Sequence, residues 1–215
     1  MHVDVIISTF NRFNQLKKCI KTIKESSHKD VSILVMVDGN KNILEEVKAE
    51  PVTMFFNATR KDFVVSMNTL LSHSEKGAVL YGSDDLEFPS DCIFNAVAAL
   101  EKHFPDTDGL IGLKSVNIPS AFGLMGRKFI NRFPNNQVFC PEYIHYASDW
   151  ELGRFAETIH RFYHSQEAIV HHVKTLSDIT TKLAVMVKSH DEALRLARIK
   201  KGACWGIDFK CEINE

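Results

Sequence analysis

The first half of the sequence alternates between short apolar runs and segments with helical spacing, which narrows the range of possible folds. Apolar runs rich in β-branched residues predict strands at 3–8, 32–37, 52–56 and 78–81. After each run, apolar residues recur every three or four positions, as on one face of a helix. Such alternation predicts right-handed βαβ units and a mainly parallel sheet flanked by helices. The sequence therefore predicts an α/β fold.

The second half is less regular. We expect strands at 109–116 and 168–173, a short helix at 149–157 and a long C-terminal helix from Ser177 to Lys201, ended by Gly202. The stretch 119–141 contains three prolines and two glycines and is predicted to form surface loops. We predict one domain over residues 1–175 and a helical extension over 176–215 packed on it.

Composition excludes several classes of protein. The 215 residues include 26 Lys and Arg against 27 Asp and Glu, so a strongly basic nucleic-acid-binding surface is not expected overall. The five cysteines have irregular spacing, which favours neither a zinc site nor a disulfide framework. Free thiols fit a reducing cytoplasm, and we predict a cytoplasmic protein. No apolar run approaches the ~20 residues of a transmembrane helix.

Polar residues follow three of the predicted strands. Thr9, Asp38 and Asp84 lie at or just beyond strand ends. Carboxyl ends of parallel strands meet at one edge of a sheet, where ligands bind, so we expect these side chains to gather there. Asp84 and Asp85 are adjacent carboxylates that repel each other. Either both lie in a solvated loop, or a positive group lies between them and a partner.

Several familiar motifs are absent. The chain has no G-x-G-x-x-G fingerprint, no G-x-x-x-x-G-K-[ST] phosphate loop, no H-E-x-x-H and no G-x-S-x-G. Dehydrogenase, kinase-like, zinc-protease and esterase functions therefore lose most of their support.

Five segments in order resemble the motifs of family 2 glycosyltransferases with the GT-A fold. They are "VDVIISTFNR", "ILVMVDGN", "VVSMNTLL", "GAVLYGSDDLEFP" and "SDWELGRFA", within residues 3–172. The resemblance implies a Rossmann-like GT-A domain, a nucleoside diphosphate sugar as donor and inversion at the anomeric carbon. It also implies Mn²⁺ or Mg²⁺, which stabilises the leaving diphosphate as a Lewis acid.

The resemblance also implies roles for individual residues. Asp84 matches the metal-binding acid, and a late histidine, for which His171 is favoured over His172, matches a second metal ligand. Only one of these neighbours can point inward, because successive strand residues face opposite ways. Asp149 matches the general base. Donor-binding roles fall on Thr9, Asn11, Asp38, Asn68 and Asp85.

Two departures from the family pattern affect the site. Gly82 stands where the first acid of the D-x-D motif is usual, and Ser148 stands where a glutamate usually precedes the base. The first departure leaves the metal ion fewer protein ligands.

Simpler roles remain open for most of these residues. Asp149 could be a helix N-terminal acid favoured by the helix dipole, and Asp38 could be a turn residue before Gly39. Asn68 could brace a loop, and the two histidines could be structural. The basic residues Arg127, Lys128 and Arg132 could form a solvated face or meet a diphosphate or an anionic acceptor.

The sequence leads to one favoured function and two alternatives. We expect an inverting, metal-dependent transfer of sugar from a UDP- or GDP-linked donor to an acceptor hydroxyl. The alternatives are a degenerate domain that binds a nucleotide sugar or a protein without turnover, and a sugar-phosphate nucleotidyltransferase. The acceptor could be a glycan, a lipid-linked sugar, a protein or a modified nucleic acid. A homo-oligomer built through the long helix is also open.

Overall fold

The computed structural model describes residues 1–75, 77–173 and 178–206. A central sheet of seven strands has the order β3-β2-β1-β4-β7-β6-β8, and β5 pairs separately with β9. The strands are β1 (Val3–Thr9), β2 (Val31–Asp38), β3 (Thr53–Asn57), β4 (Ala78–Ser83), β5 (Leu86–Glu87), β6 (Leu110–Lys114), β7 (Gly123–Met125), β8 (Phe162–Ile169) and β9 (His171–His172).

Helices connect these strands, as the alternating pattern predicts. They are α1 (Phe13–Lys24), α2 (Leu44–Lys48), α3 (Asp62–Ser72), α4 (Cys92–His103), α5 (Arg127–Ile130), α6 (Ser148–Thr158) and α7 (Ile179–Lys200). Two short 3₁₀ turns, Lys41–Ile43 and Pro134–Asn136, lie before α2 and after α5. The predicted α/β class, the mainly parallel sheet and the long C-terminal helix are confirmed.

The first four predicted strands form the parallel part of the sheet. β1 pairs in parallel with β2 on one side and with β4 on the other, and β3 extends the sheet beyond β2. β1 is buried on both faces, since Val5 and Ile7 pack with α1 and α4 while Ile6 packs with α3 and α6. A strand covered on both faces consists of a continuous run of apolar residues, and β1 could be predicted from the sequence for this reason.

One sheet strand was missed. β7 lies antiparallel between β4 and β6, inside the stretch 119–141 that was predicted as loops. It has three residues, and its pairing partners come from distant parts of the chain, so local pattern could not reveal it. β8 also begins at Phe162, earlier than the expected start at residue 168.

The N-cap of α1 is Arg12 and that of α4 is Asp91, and neither residue makes a side-chain capping hydrogen bond. Gly202, with φ +63°, follows α7 as predicted. Ser177 and the expected domain boundary at 175/176 lie outside the described residues.

The long helix α7 attaches to the domain mainly through charged groups. Its buried residues are Ala184 and Asp191. Asp191 accepts hydrogen bonds from the backbone N–H groups of residues 144, 145 and 146. Arg198 pairs with Glu151 of α6 at 2.8 Å. Within the described residues, no helix combines the length and apolar character needed to cross a membrane.

Candidate functional site

The carboxyl ends of β1, β2 and β4 meet at one edge of the sheet. The register pairs Thr9 with Val37 on β2, and pairs Ser8 with Ser83 on β4. The Thr9 hydroxyl donates to Asp84 Oδ2 at 2.8 Å, and both residues are buried. Asp38, also buried, ends the neighbouring strand β2. The structure thus brings Thr9 and Asp84 into contact, with Asp38 at the end of the adjacent strand.

The positive group beside the acidic pair is Arg12, which follows β1. Arg12 Nη1 donates to Asp85 Oδ2 at 2.8 Å and to Asp84 Oδ1 at 3.3 Å. Its Nε donates to Asp178 Oδ2 at 2.6 Å, at the start of α7. Arg12, Asp84 and Asp85 are 8%, 3% and 5% exposed. The pair is therefore not a solvated loop, because a buried guanidinium binds both carboxylates.

Burial and charge give the two carboxyls different proton affinities. Burial, followed by the charge of Asp85, raises the pKa of Asp84 to about 7. Burial also opposes ionisation of Asp85, but hydrogen bonds from His172 and Ser83 lower its pKa below the usual range. Asp85 thus carries the negative charge more firmly than Asp84 does.

A divalent ion binds through several carboxylate oxygens, and each oxygen of the pair already accepts a hydrogen bond. Thr9 and Arg12 bind the two oxygens of Asp84. Arg12 binds one oxygen of Asp85, while the Ser83 hydroxyl donates to the other. Over the described ranges, no three His, Cys, Asp or Glu side chains form a group suited to a metal ion. With Arg12 in this position the residues do not fit a divalent ion, and the metal requirement stays a prediction.

The structure places His172, not His171, beside the acidic pair. His171 is exposed, whereas His172 Nε2 lies 3.2 Å from Asp85 Oδ1. The other ring nitrogen of His172 lies 2.7 Å from the Asn117 side-chain amide. The short strand β9 pairs with β5, and its two successive side chains face opposite ways. The expected inward orientation of His171 is therefore corrected to His172.

Asp38 organises the turn between β3 and α3. Its Oδ1 accepts from the Asn57 side chain and from the Lys61 N–H, both at 2.8 Å, and its Oδ2 accepts from the Asp62 N–H at 2.8 Å. Gly39 follows with φ +83°, and a Cβ there would lie 2.5 Å from the Arg60 backbone nitrogen. Asp38 lies at the expected edge, but its oxygens hold this turn, and its donor-binding role stays a prediction.

Arg60 is a candidate ligand contact that sequence reasoning missed. Its guanidinium lies 5.1 Å from the centre of the Phe10 ring, and its Nε donates to Asp62 at 2.7 Å. Its Nη1 is buried and has no hydrogen-bond partner within the described structure. A buried donor without a partner is costly, so it marks a place where a ligand or water would bind.

Asn11 and Asn68 both hold loops through their amides. The exposed Asn11 accepts a hydrogen bond from Asn40 Nδ2 at 3.1 Å, which joins the β1 loop to the β2 loop. The buried Asn68 donates to the Phe139 carbonyl at 2.7 Å and accepts from the Phe139 N–H at 3.2 Å. Asn68 therefore braces the loop around residue 139, and nucleotide contact by either residue stays a prediction.

Asp149 lies in the first turn of α6, after Ala147 in the left-handed conformation with φ +63°. Its Oδ1 accepts from the Trp150 N–H at 2.9 Å. Burial raises the pKa of Asp149 to about 6. Burial and the nearby Asp149 charge raise the pKa of Tyr81, which places Asp149 beside β4. A carboxyl with a pKa near neutral pH suits a general base.

The three basic residues between 127 and 132 each bind a side chain of the domain. Lys128 pairs with Asp106 at 3.1 Å, and Arg132 pairs with the buried Asp108. Arg127 donates to the Ser74 hydroxyl at 2.9 Å. These contacts favour the structural role that the sequence left open for the cluster.

The family described as Glycosyl transferase family 2 matches residues 4–112, about half of the chain. The chain belongs to this family. No curated protein matches the sequence. The matched range of this family 2 chain contains β1 to β5 and the strand-end edge, including Arg12, Asp38 and the acidic pair.

Solved structures similar to this family 2 chain confirm the GT-A fold. One is the mannosyltransferase PcManGT from Pyrobaculum calidifontis in complex with GDP-Man and Mn²⁺, with 14% identity and a TM-score of 0.73, covering 94% of this chain and 65% of that one. S. aureus TarS 1–349 in complex with UDP-GlcNAc has 17% identity and a TM-score of 0.71, with 95% and 67% covered. S. aureus TarS 1–349 alone has 16% identity and a TM-score of 0.68, with 95% and 66% covered. The chain thus spans about two thirds of the length of these proteins.

Proposed function

We propose that this chain is the catalytic domain of an inverting glycosyltransferase that moves a sugar from a nucleoside diphosphate sugar to an acceptor hydroxyl. The observation that carries the proposal is Asp149, a half-buried carboxyl whose pKa is raised to about 6 and whose charge acts on Tyr81 of β4. Family membership and the GT-A neighbours, whose complexes contain GDP-Man and UDP-GlcNAc, support the class of donor.

The reaction needs one proton acceptor and a held donor. Ionised Asp149 accepts the proton of the acceptor hydroxyl as that oxygen attacks the anomeric carbon. The bond between this carbon and the diphosphate oxygen breaks on the opposite face, so the configuration inverts and the nucleoside diphosphate leaves with the bonding electrons. The acceptor, whether glycan, lipid-linked sugar, protein or modified nucleic acid, is not identified by the chemistry of these residues.

The donor site is assigned to the strand-end edge. Thr9 and Asn11 form the loop at the end of β1, and Asp38 fixes the turn that carries Arg60. We assign the unused N–H of Arg60 to the donor. Asn68 acts by bracing the loop at residue 139. Asp85, in contact with His172, completes the edge. No step is assigned to a divalent ion, because the oxygens of Asp84 and Asp85 are occupied.

A second candidate is a degenerate domain that binds a nucleotide sugar or a protein without turnover. Ser148 favours it, since this residue replaces the glutamate expected before Asp149 and its buried hydroxyl has no partner in the described structure. Slow hydrolysis of a UDP- or GDP-sugar would separate the two, because a degenerate domain binds the donor and leaves it intact.

We expect UDP or GDP to raise the melting temperature. At a nucleotide concentration of about 100 Kd, mass action adds about 2.7 kcal/mol to the free energy of unfolding. For a chain of this size that corresponds to a rise of about 5 °C or more. Differential scanning fluorimetry with UDP, GDP, ADP and CDP would measure the shift.

Two variants test the site of this binding. Arg60→Ala should reduce the shift, because it removes the unused buried donor. Lys61→Ala, the matched control, keeps the backbone N–H that binds Asp38 and should retain the shift. A protein that no nucleotide stabilises would contradict the proposed donor class.

We expect the donor-hydrolysis rate to follow the ionisation of Asp149. Only the carboxylate accepts a proton, so kcat/KM should rise about tenfold per pH unit below the pKa and level off above it. With the pKa near 6, the bend should fall near pH 6. Initial rates of UDP or GDP release between pH 4.5 and pH 8 would measure it, and a rate that falls as the pH rises through 6 would remove Asp149 as the base.

A further inference from the structure

We infer that Arg12 is the resident cation of the acidic pair Asp84 and Asp85, and that donor binding by this chain therefore requires no divalent ion. The inference rests on the proposed function, because it concerns the same donor site. It departs from the metal requirement that the family resemblance implies, and it is argued from the chain's own contacts.

The guanidinium of Arg12 is bonded through all three of its nitrogens. Nη1 binds both carboxylates of the pair, and Nε binds Asp178. Nη2 donates to the Thr181 hydroxyl at 2.7 Å and to Asp178 Oδ1 at 3.2 Å. A buried, bidentate guanidinium keeps its geometry far better than a surface lysine would. Hydrogen bonds therefore fix Arg12 in place beside the acidic pair.

Asp178 holds this cation from the other side and also belongs to α7. It is the N-cap of that helix, and its Oδ1 accepts from the Thr181 N–H at 2.7 Å. The segments after β1, after β4 and at the start of α7 thus converge on one guanidinium. A divalent ion would have to displace Arg12 and leave both its positive charge and Asp178 without their buried partners.

The ligand set also favours Arg12 over a metal ion. Gly82 stands at the position where the resemblance places the first acid, so one carboxylate is missing. His172 already contacts Asp85 and Asn117 through its two ring nitrogens. Divalent ions need several oxygen ligands, whereas here each oxygen of the pair already accepts a hydrogen bond and the charge of Arg12 repels a second cation. The positive charge toward the donor then comes from arginine side chains, of which Arg60 has an unused N–H.

The test is a titration with Mn²⁺ alone, followed by the electron paramagnetic resonance signal of the free ion. The wild-type chain should show no site at the pair, with or without UDP. The Arg12→Ala variant leaves two carboxylates without their cation and should gain an Mn²⁺ site, at least about tenfold tighter than any residual binding by the wild-type chain. Arg132→Ala is the matched control, since it removes an arginine from the buried Asp108 at another place and should leave Mn²⁺ binding as in wild type.

A parallel measurement compares the melting-temperature shift caused by UDP or GDP in EDTA and in Mn²⁺, and we expect equal shifts. A wild-type chain that binds one Mn²⁺ and loses it in Asp84→Asn would overturn the inference, as would a nucleotide shift that requires Mn²⁺. An Arg12→Ala variant that folds but binds no Mn²⁺ would also overturn the inference. If Arg12→Ala fails to fold, the wild-type titration and the EDTA comparison decide.

Failure of the proposed function gives a different result. In that case no nucleotide shifts the melting temperature in EDTA or in Mn²⁺, while the Mn²⁺ titration of the pair is still readable. The two failures are therefore separate observations.

Discussion

Replacing Asp149 by asparagine is expected to slow sugar transfer by about 10²–10⁴-fold, the usual contribution of a general base. Asparagine has the same shape and keeps an oxygen that can accept from the Trp150 N–H, as Asp149 does at 2.9 Å. It cannot accept the proton of the acceptor hydroxyl. Nucleotide binding should persist, because the donor contacts lie on other residues. Donor hydrolysis and the nucleotide-induced melting shift measure the two effects separately.

The stability of this variant provides an internal check on folding. Burial raises the pKa of Asp149 to about 6, so the folded state disfavours its ionised form. In the wild-type chain, the contribution of Asp149 to the free energy of unfolding is therefore greatest below about pH 4. It is lost as the pH rises through 6. The neutral asparagine lacks this loss, and Asp149→Asn should be at least as stable as wild type at pH 7.

The matched control for this change is Glu157→Gln, an exposed carboxylate on the same helix α6. It should leave both transfer and binding unchanged. If Asp149→Asn transfers sugar at the wild-type rate, Asp149 is not the base and the proposed mechanism is wrong.

Asp191→Ala is expected to cost the largest amount of folding stability. Asp191 is 0% exposed and accepts from three backbone N–H groups, of residues 144, 145 and 146. Alanine leaves these donors without a partner, and each buried unsatisfied donor costs about 1–3 kcal/mol. We expect a loss of about 3 kcal/mol, which lowers the melting temperature by about 6–12 °C at this chain length. Urea and thermal unfolding would measure it.

This change should also affect the site. Residues 144–146 lead directly into Ala147 and α6, so losing their anchor displaces Asp149 and slows transfer. Glu192→Ala is the matched control, because Glu192 is the next residue and pairs with Arg195 at 2.8 Å on the surface. A surface pair contributes at most about 1 kcal/mol. Equal losses for the two variants would show that Asp191 does not anchor the loop.

The fold was predictable wherever local pattern decides structure. Strand β1 could be read from its apolar, β-branched residues, because both of its faces are covered. The antiparallel strand β7 could not, since three residues carry no periodicity and its place between β4 and β6 depends on chain far from it.

The sequence predicted which edge of the sheet carries the site, but not the contacts between its residues. Parallel strands bring Thr9, Asp38 and Asp84 to one side whatever the loops do. Arg12 stood in the quoted first motif without a role, because its partners Asp84 and Asp178 lie 72 and 166 positions away. The choice between two adjacent histidines also depended on a pairing of β9 with β5 that sequence does not reveal.

The bond between Arg12 and Asp178 has a consequence for the order in which the chain assembles. It joins positions 166 residues apart, and closing so long a loop costs entropy before any contact offsets it. Helix α7 also buries little apolar surface of its own, with Ala184 and Asp191 inside. During synthesis, residues 1–173 leave the ribosome before this helix exists. Arg12 can therefore bind Asp84 and Asp85 before Asp178 is available, and we expect α7 to dock after the sheet has formed.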